Sequence, residues 1–353
     1  MKKSSTLIVG IGQCGNILTN MMKLRDQRFT TLFVNSSNGD LSGLKFANQE
    51  NSFIYSGGDG AGRNRQQAKT YIQNDSARLF DTLKNSYGQF EQMLIFFSTD
   101  GGTGSGSIKG FVSMVRGAFP KMIINLIGVI PKIEEDNKNL NNSLDCISDL
   151  IDISDSFNDI KFIDNNKGQS YEDINNRAIE DINSLFEMIG HDEIGSIDEN
   201  NLKNIGKSKG YGVILNLPSN YTNYEEAIEV SKENSIFAIP NDLYCTYGGV
   251  MAKKNEYNVI NLASKFDCDE TIYKTYGDKN IIALGGCDIP REIISDIQDE
   301  LKERKLRRPK SRRIRGLKSI NLDRENIESN ENIKEEKSKE IDYSVFDMNQ
   351  FKF

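Results

Sequence analysis

Ser98-Thr99-Asp100-Gly101-Gly102-Thr103-Gly104-Ser105-Gly106-Ser107 follows directly on the apolar run 93–97. Five apolar residues in a row read as a strand buried on both faces, and the periodic stretch 108–119 reads as the helix beyond it. Between them, glycines alternate with hydroxyl residues. Glycine accepts positive φ and lets backbone amides approach an anion closely, and the following helix adds the positive end of its dipole. The stretch therefore reads as phosphate-binding machinery. It is not a P-loop, because no Gly-Lys-Ser/Thr closes it and it contains no lysine.

Two further glycine turns follow strand-like runs. Gly10-Ile11-Gly12-Gln13-Cys14-Gly15-Asn16 comes after the strand 6–9 and before a helix ending near residue 24. Taken alone, this G-x-G-x-x-G also fits a dinucleotide-binding fold, which expects an acidic residue at the end of the second strand. That strand, 31–34, ends instead in Asn35-Ser36-Ser37-Asn38. Ser56-Gly57-Gly58-Asp59-Gly60-Ala61-Gly62-Arg63-Asn64 follows a third strand, 53–55. Three such loops at strand C-termini cluster on one edge of a parallel sheet, where α/β proteins bind ligands.

At 353 residues the chain has room for two packed domains and extensions. It is 37% hydrophobic, lacks tryptophan, and its longest apolar stretch, 122–130, is too short to cross a bilayer. No signal-peptide pattern is present, so the expected compartment is the cytoplasm. The five cysteines are far apart with no C-x-x-C pair, which argues against a disulfide framework or zinc site. Cys14 reads as a small residue packed under a ligand rather than a nucleophile. The single histidine, His191, excludes mechanisms that need a histidine pair. A net charge of −7 hides a basic block over residues 302–318, which marks an interaction tail or a solvated helix end.

Strands and helices alternate through the first half: a long polar helix over 64–87, strand 123–130, a charged loop 132–138, helix 140–153 and strand 160–163. Residues 171–189 repeat apolar side chains at helical spacing (Ile174, Ala178, Ile179, Ile182, Leu185, Phe186, Ile189) and predict a buried helix. Strands are expected at 211–217, 236–239, 244–252 and 281–284, with helices near 224–232 and 259–265. A last helix runs from Pro290 to about residue 308. The fold class is α/β: a parallel-sheet nucleotide domain (1–169), a core helix (170–190), a smaller second domain (191–287), a C-terminal helix with basic segment (288–318), and a tail (319–353). Residues 322–340 are charged and apolar-poor, the composition of disorder. Tyr343, Val345, Phe346, Met348, Phe351 and Phe353 then restore hydrophobicity, as a docking peptide does.

As a set, these motifs resemble the tubulin/FtsZ family of GTPases. Gly12-Gln13-Cys14-Gly15-Asn16 is similar to tubulin's first nucleotide loop, and residues 101–106 to the family's glycine-rich motif. Gly60-Ala61-Gly62-Arg63-Asn64 resembles the γ-phosphate loop, Phe162-Ile163-Asp164-Asn165 the guanine loop, and Ser170-Tyr171-Glu172-Asp173-Ile174-Asn175 the start of the core helix. The resemblance implies that Gly12, Gln13 and Cys14, with Gly101, Gly102, Thr103, Gly104 and Ser105, hold the α- and β-phosphates of GTP or GDP. Ala61 and Gly62, flanked by Arg63 and Asn64, present amides to the γ-phosphate. Tyr171 stacks on guanine while Asn16, Asn165 and Asn175 bond its edge, since asparagine offers both a donor and an acceptor. Glu134 or Glu135 is the ribose partner. Mg²⁺ is carried by the phosphates, with no direct protein ligand.

In this family the next subunit of a head-to-tail filament inserts an acidic loop against the γ-phosphate. Here that loop is 195–205, with Asp198 at the first acidic position. The second position is Asn201, or Glu199 if the register shifts by one. A long terminal helix, basic segment and tail resemble the TubZ group of plasmid and phage GTPases. Such a protein segregates DNA through a DNA-binding adaptor of the TubR type, held by the tail, in the bacterial host cytoplasm and without a membrane. Direct DNA contact by the basic segment is the other possibility, with affinity falling steeply with salt. Three alternatives stand beside this reading: an FtsZ-like cell-division GTPase, a nicotinamide-dependent oxidoreductase, and a non-hydrolysing nucleotide scaffold.

Overall fold

The computed structural model describes residues 2–219 and 221–307. The expected tail and most of the basic segment lie outside them. In chain order the elements are β1 Thr6–Ile11, α1 Gly12–Arg25, β2 Thr30–Asn35, β3 Ser52–Ile54, α2 Arg65–Asn74, α3 Ser76–Tyr87, β4 Gln92–Ser98 and α4 Thr103–Ala118. There follow β5 Ile123–Ile130, α5 Asn137–Ile151, β6 Asp159–Asp164, α6 Tyr171–Glu187, β7 Gly190–His191, β8 Ser196–Ile197 and α7 Glu199–Lys207. The last are β9 Gly210–Asn216, α8 Tyr224–Asn234, β10 Cys245–Ala252, α9 Val259–Ala263, β11 Cys268–Tyr276, β12 Ile281–Cys287 and α10 Glu292–Arg307.

The fold is α/β, organised on one ten-stranded, mostly parallel sheet in the order β11-β10-β12-β9-β6-β5-β4-β1-β2-β3. Alternation along its central strands sorts side chains between two cores. Leu7, Val9, Met93, Ile95 and Phe97 face one way, with Ile108, Phe111 and Val112 of α4 and Leu140 and Leu144 of α5. Ile8, Leu94 and Phe96 face the other, against Leu18 of α1, Ile174, Ile182 and Phe186 of α6, and Leu202 of α7. Burial on both faces explains why these strands read as unbroken apolar runs. The strands expected to form a second domain extend this same sheet. The join is narrow: β6 pairs with β9 in parallel at Asp159–Gly210 and Ile160–Tyr211 alone.

Several local expectations need correction. The helix read over 64–87 is two helices, broken at Asp75, whose carboxylate turns back to accept from the Ser56 hydroxyl at 2.8 Å and from its backbone N–H. The strand read at 236–239 is a single bridge from Phe237 to Ile163. Strand β11 was not foreseen, because as a half-exposed edge strand it carries polar residues at most positions. The loop at 195–205 is mostly structured, as β8 and then α7. Among the described residues, no helix is long and apolar enough to cross a membrane.

Candidate nucleotide site

The three glycine turns, which follow β1, β3 and β4, meet at the C-terminal ends of the sheet's strands. A Cβ added to Gly12, which has φ +75, would lie 2.8 Å from the Gly104 nitrogen, and one added to Gly102 would lie 2.9 Å from the Ala61 Cβ. The chain therefore uses glycine where two loops touch backbone to backbone. Ser36, at the end of β2, closes the ring with a 2.6 Å hydroxyl contact to Thr103.

The phosphate loop is shorter than its sequence suggests. α4 begins at Thr103, so Thr103, Gly104 and Ser105 are its first turn, and α1 begins at Gly12. These two helices share a further property. Asn64, Asp136, Ser170, Asp198, Asn223 and Asn258 cap α2, α5, α6, α7, α8 and α9 through their side chains. Neither Ile11, before α1, nor Gly102, before α4, supplies such a cap; α3 also lacks one, but it follows directly on α2 across Asp75, away from the glycine turns' meeting point. Two helix N-termini with uncapped N–H groups and positive dipole ends thus converge, the arrangement that suits a phosphate chain.

Beneath this turn lies a residue that sequence reasoning missed. Arg65 is 8% exposed and donates to the Ser105 hydroxyl and carbonyl, both at 3.2 Å, and to Asp149 at 2.5 Å. Lys69 and Lys109 also reach Asp149, at 2.8 and 3.6 Å. The sole sequence signal was an arginine immediately after the Asn64 cap. Burial pushes the Cys14 thiol up to about 12, helped by the charge of Asp100, so it is a packing residue and no nucleophile at neutral pH. Burial also raises Asp100, whose carboxylate is held by Ser98 and by Asn139 at 3.0 Å.

The remaining binding candidates lie around this edge. Gly62 and Arg63 both have positive φ, at 52° and 60°, and Arg63 pairs with Asp136 at 2.9 Å. Gln13 and Glu134 are exposed. Gly101 donates its N–H to the Ser98 hydroxyl at 3.2 Å. Glu135 accepts from the Tyr171 hydroxyl and from Asn139, both at 3.2 Å, which brings the expected ribose loop against the expected base-stacking ring. Tyr171 is 49% exposed, with the Lys132 ammonium 4.9 Å from its ring centroid. Asn165 donates its backbone N–H to Ile130, while Asn166 pins the loop by accepting from the Ile133 N–H at 2.7 Å. Asn175 lies one turn into α6 and is partly exposed. Asn16 is fully buried, donating to the Val34 carbonyl at 3.2 Å while its Oδ1 has no partner among the described residues.

The expected catalytic residues are elsewhere. Asp198 caps α7 by accepting from the Asn201 N–H at 2.8 Å, and the Asn201 side chain accepts from the Asp198 N–H at 2.9 Å. Asn201 is thus accounted for as the return arm of a capping box. Glu199 pairs with Lys2 at 3.5 Å, and Lys203 with Glu91 at 2.5 Å. Lys2 and Glu91 precede β1 and β4, so this loop lies under the N-terminal ends of the strands whose C-terminal ends carry the glycine turns. Seven residues of β4 separate the two edges, about 20 Å at strand rise.

Residues 5–171 match the family described as Tubulin/FtsZ family, GTPase domain. These residues form a tubulin/FtsZ-family GTPase domain. The chain as a whole is 26% identical over 347 residues to the tubulin-like protein TubZ of Clostridium botulinum C phage, covering 96% of this chain and 94% of that one. The fold superposes on the tail-truncated TubZ of Clostridium botulinum phage c-st with a TM-score of 0.79 at 22% identity, covering 87% of this chain and 99% of that structure. It also matches TubZ of Bacillus thuringiensis serovar israelensis, solved as a GTPγS-form protofilament, with a TM-score of 0.73 at 15% identity over 86% of this chain and 94% of that one. The GTPase family carries guanine nucleotide as its ligand. The end of β2 agrees: Asn35 and Ser36 stand where a dinucleotide-binding turn places its ribose acid, and they bond Asp40 and Thr103.

Proposed function

We propose that this protein is an assembly-dependent GTPase whose active site is completed between copies. One observation carries the reading: the phosphate cradle and Asp198 sit at opposite edges of the sheet, so no chain brings Asp198 to its own nucleotide. In a head-to-tail row, the lower edge of one copy meets the upper edge of the next. The α- and β-phosphates then lie on the N-termini of α1 and α4, the γ-phosphate faces Ala61 and Gly62, and Tyr171 stacks on guanine. A carboxylate of the adjoining copy, Asp198 with Glu199 as second candidate, orients water against the γ-phosphate. Mg²⁺, when bound, neutralises phosphate charge; among the described residues no group of three acidic, cysteine or histidine side chains gathers to hold it directly. The cradle fits a nucleotide on the protein's own terms, through its uncapped helix ends and the glycine contacts that a Cβ would fill. Likeness to TubZ extends the proposal to dynamic filaments that move DNA through an adaptor of the TubR type bound by residues 319–353, in the cytoplasm.

Asp198→Asn is the informative variant, since asparagine still caps α7 but carries no charge. Alone it loses GTP turnover while still binding GTP. Mixed with Gly12→Ala, which keeps its Asp198 but has a blocked cradle, it regains activity, because its nucleotide meets an intact carboxylate. A mixture no more active than its components, or turnover per chain that is independent of protein concentration, refutes completion between copies.

A further inference from the structure

The C-terminal helix holds the nucleotide loop. Arg304, three residues before the end of α10, donates from its guanidinium to the Ile133 carbonyl at 2.6 Å, the Glu135 carbonyl at 2.5 Å and Asn137 Oδ1 at 3.3 Å. Glu300, one turn earlier on α10, accepts from Nε at 2.5 Å and fixes the plane of the fork. Both side chains are about one-fifth exposed, at 21% and 23%, so solvent competes weakly for these bonds. The contact reads backbone shape: two of its three acceptors are main-chain oxygens. A rigid fork of five donors does this well, and an ammonium does not.

The loop held in this way is the one that carries Glu134 and Glu135. Its other side is pinned by Asn166, which accepts from the Ile133 N–H at 2.7 Å and donates to the Pro131 carbonyl at 3.3 Å. Beyond it, the Glu135 carboxylate meets the Tyr171 hydroxyl at 3.2 Å. A continuous set of contacts therefore runs from α10 through residues 133–137 to the ring at the head of the core helix. The glycine turns meet this set only from the other side, where Arg63 pairs with Asp136 at 2.9 Å and Asn139 bridges Glu135 to Asp100.

We infer that Arg304 is a positioning residue for the ribose and base, and that nucleotide retention depends on α10 staying docked. This rests on the guanine-nucleotide reading of the site. With Arg304 in place, residues 132–137 present a carboxylate at a fixed height beside Tyr171. Without it, the carbonyls of Ile133 and Glu135 return to water and the loop pivots on Asn166. Arg304 itself bonds to no residue of the glycine turns, so the loss falls first on ribose and base contacts and on release. Anything that draws α10 away from residues 133–137 acts through the same arginine.

The test uses the full chain loaded with tritiated GDP and chased with unlabelled nucleotide. Arg304→Ala releases GDP roughly tenfold faster, the effect of losing a few charge-assisted bonds. Arg304→Lys falls between it and wild type, and Arg307→Ala, one turn on and paired among the described residues with Glu303 (2.6 Å), releases at the wild-type rate. A second readout separates positioning from general loosening: the preference of wild type for GDP over 2′,3′-dideoxy-GDP shrinks in Arg304→Ala. Equal release by Arg304→Ala and Arg307→Ala, or an undiminished ribose preference, overturns the inference. Failure of wild type to retain any GDP instead overturns the nucleotide reading beneath it.

Discussion

Gly12→Ala separates the physics of the cradle from ordinary backbone strain, because Gly57 supplies a matched control. Both glycines are left-handed, at φ +75 and +68. Placing alanine there costs about 1–2 kcal/mol from the clash of Cβ with the backbone. Around Gly57 nothing lies within 4 Å of an added Cβ, so strain is its whole cost. At Gly12 the added carbon meets Gly104 N at 2.8 Å and Gly104 Cα at 3.3 Å, both main-chain atoms in the first turn of α4. Neither can swing aside as a side chain would, and such overpacking adds about 1–3 kcal/mol. Urea unfolding without nucleotide should therefore rank wild type, Gly57→Ala and Gly12→Ala in falling stability, with the last about 2–5 kcal/mol below wild type. The larger difference lies in binding. The atom that the new methyl presses on is an N–H proposed to hold phosphate, so GDP stabilises wild type and Gly57→Ala but not Gly12→Ala. At a hundredfold excess over Kd that stabilisation is about 2.7 kcal/mol. If Gly12→Ala unfolds like Gly57→Ala and still responds to GDP, the two turns do not form one cradle.

Arg65→Met removes a buried guanidinium from Asp149 and from the back of Ser105. It should destabilise by about 3 kcal/mol, the low end for a broken buried pair because Lys69 and Lys109 still neutralise Asp149, and weaken GDP binding severalfold by equilibrium dialysis. Asp181 is raised from the ordinary 3.8 to about 7, chiefly by burial along α6, with Arg177 opposing and Glu180 reinforcing the rise. Between these values the folded chain binds a proton that the unfolded chain has released, so stability falls as pH rises from 4 to 7 and is level above. Asp181→Asn should gain about 1–2 kcal/mol at pH 8 and almost nothing at pH 4 in urea titrations; equal gains at both would refute the assignment.

The strands and glycine turns were legible because their causes are local. Strands covered on both faces need apolar residues at every position, and loops that touch backbone to backbone need glycine at the contact. Helix starts were misread for a related reason. Glycine and serine at 101–107 read as loop, yet Thr103 to Ser107 are helical, since an anion can take the place of a capping side chain and leave no capping residue in the sequence. Edge strand β11 hid behind its polar residues. Arg304 was counted as part of a basic block, because an arginine that recognises carbonyl oxygens imposes no pattern on the loop it binds. Asn201 looked like a departure from an acidic pair until its side chain was found bonded to the Asp198 backbone. The separation of cradle and carboxylate was the least legible fact and has the largest consequence. Motif order along the chain says nothing about which end of a strand a later helix returns to. Once α7 is seen under the start of β4, with Lys203 on Glu91, the length of one strand stands between Asp198 and Thr103. No side-chain rotation spans that distance, so either this acid serves another copy or it serves no hydrolysis. The mixed-variant assay decides between the two without reference to any relative.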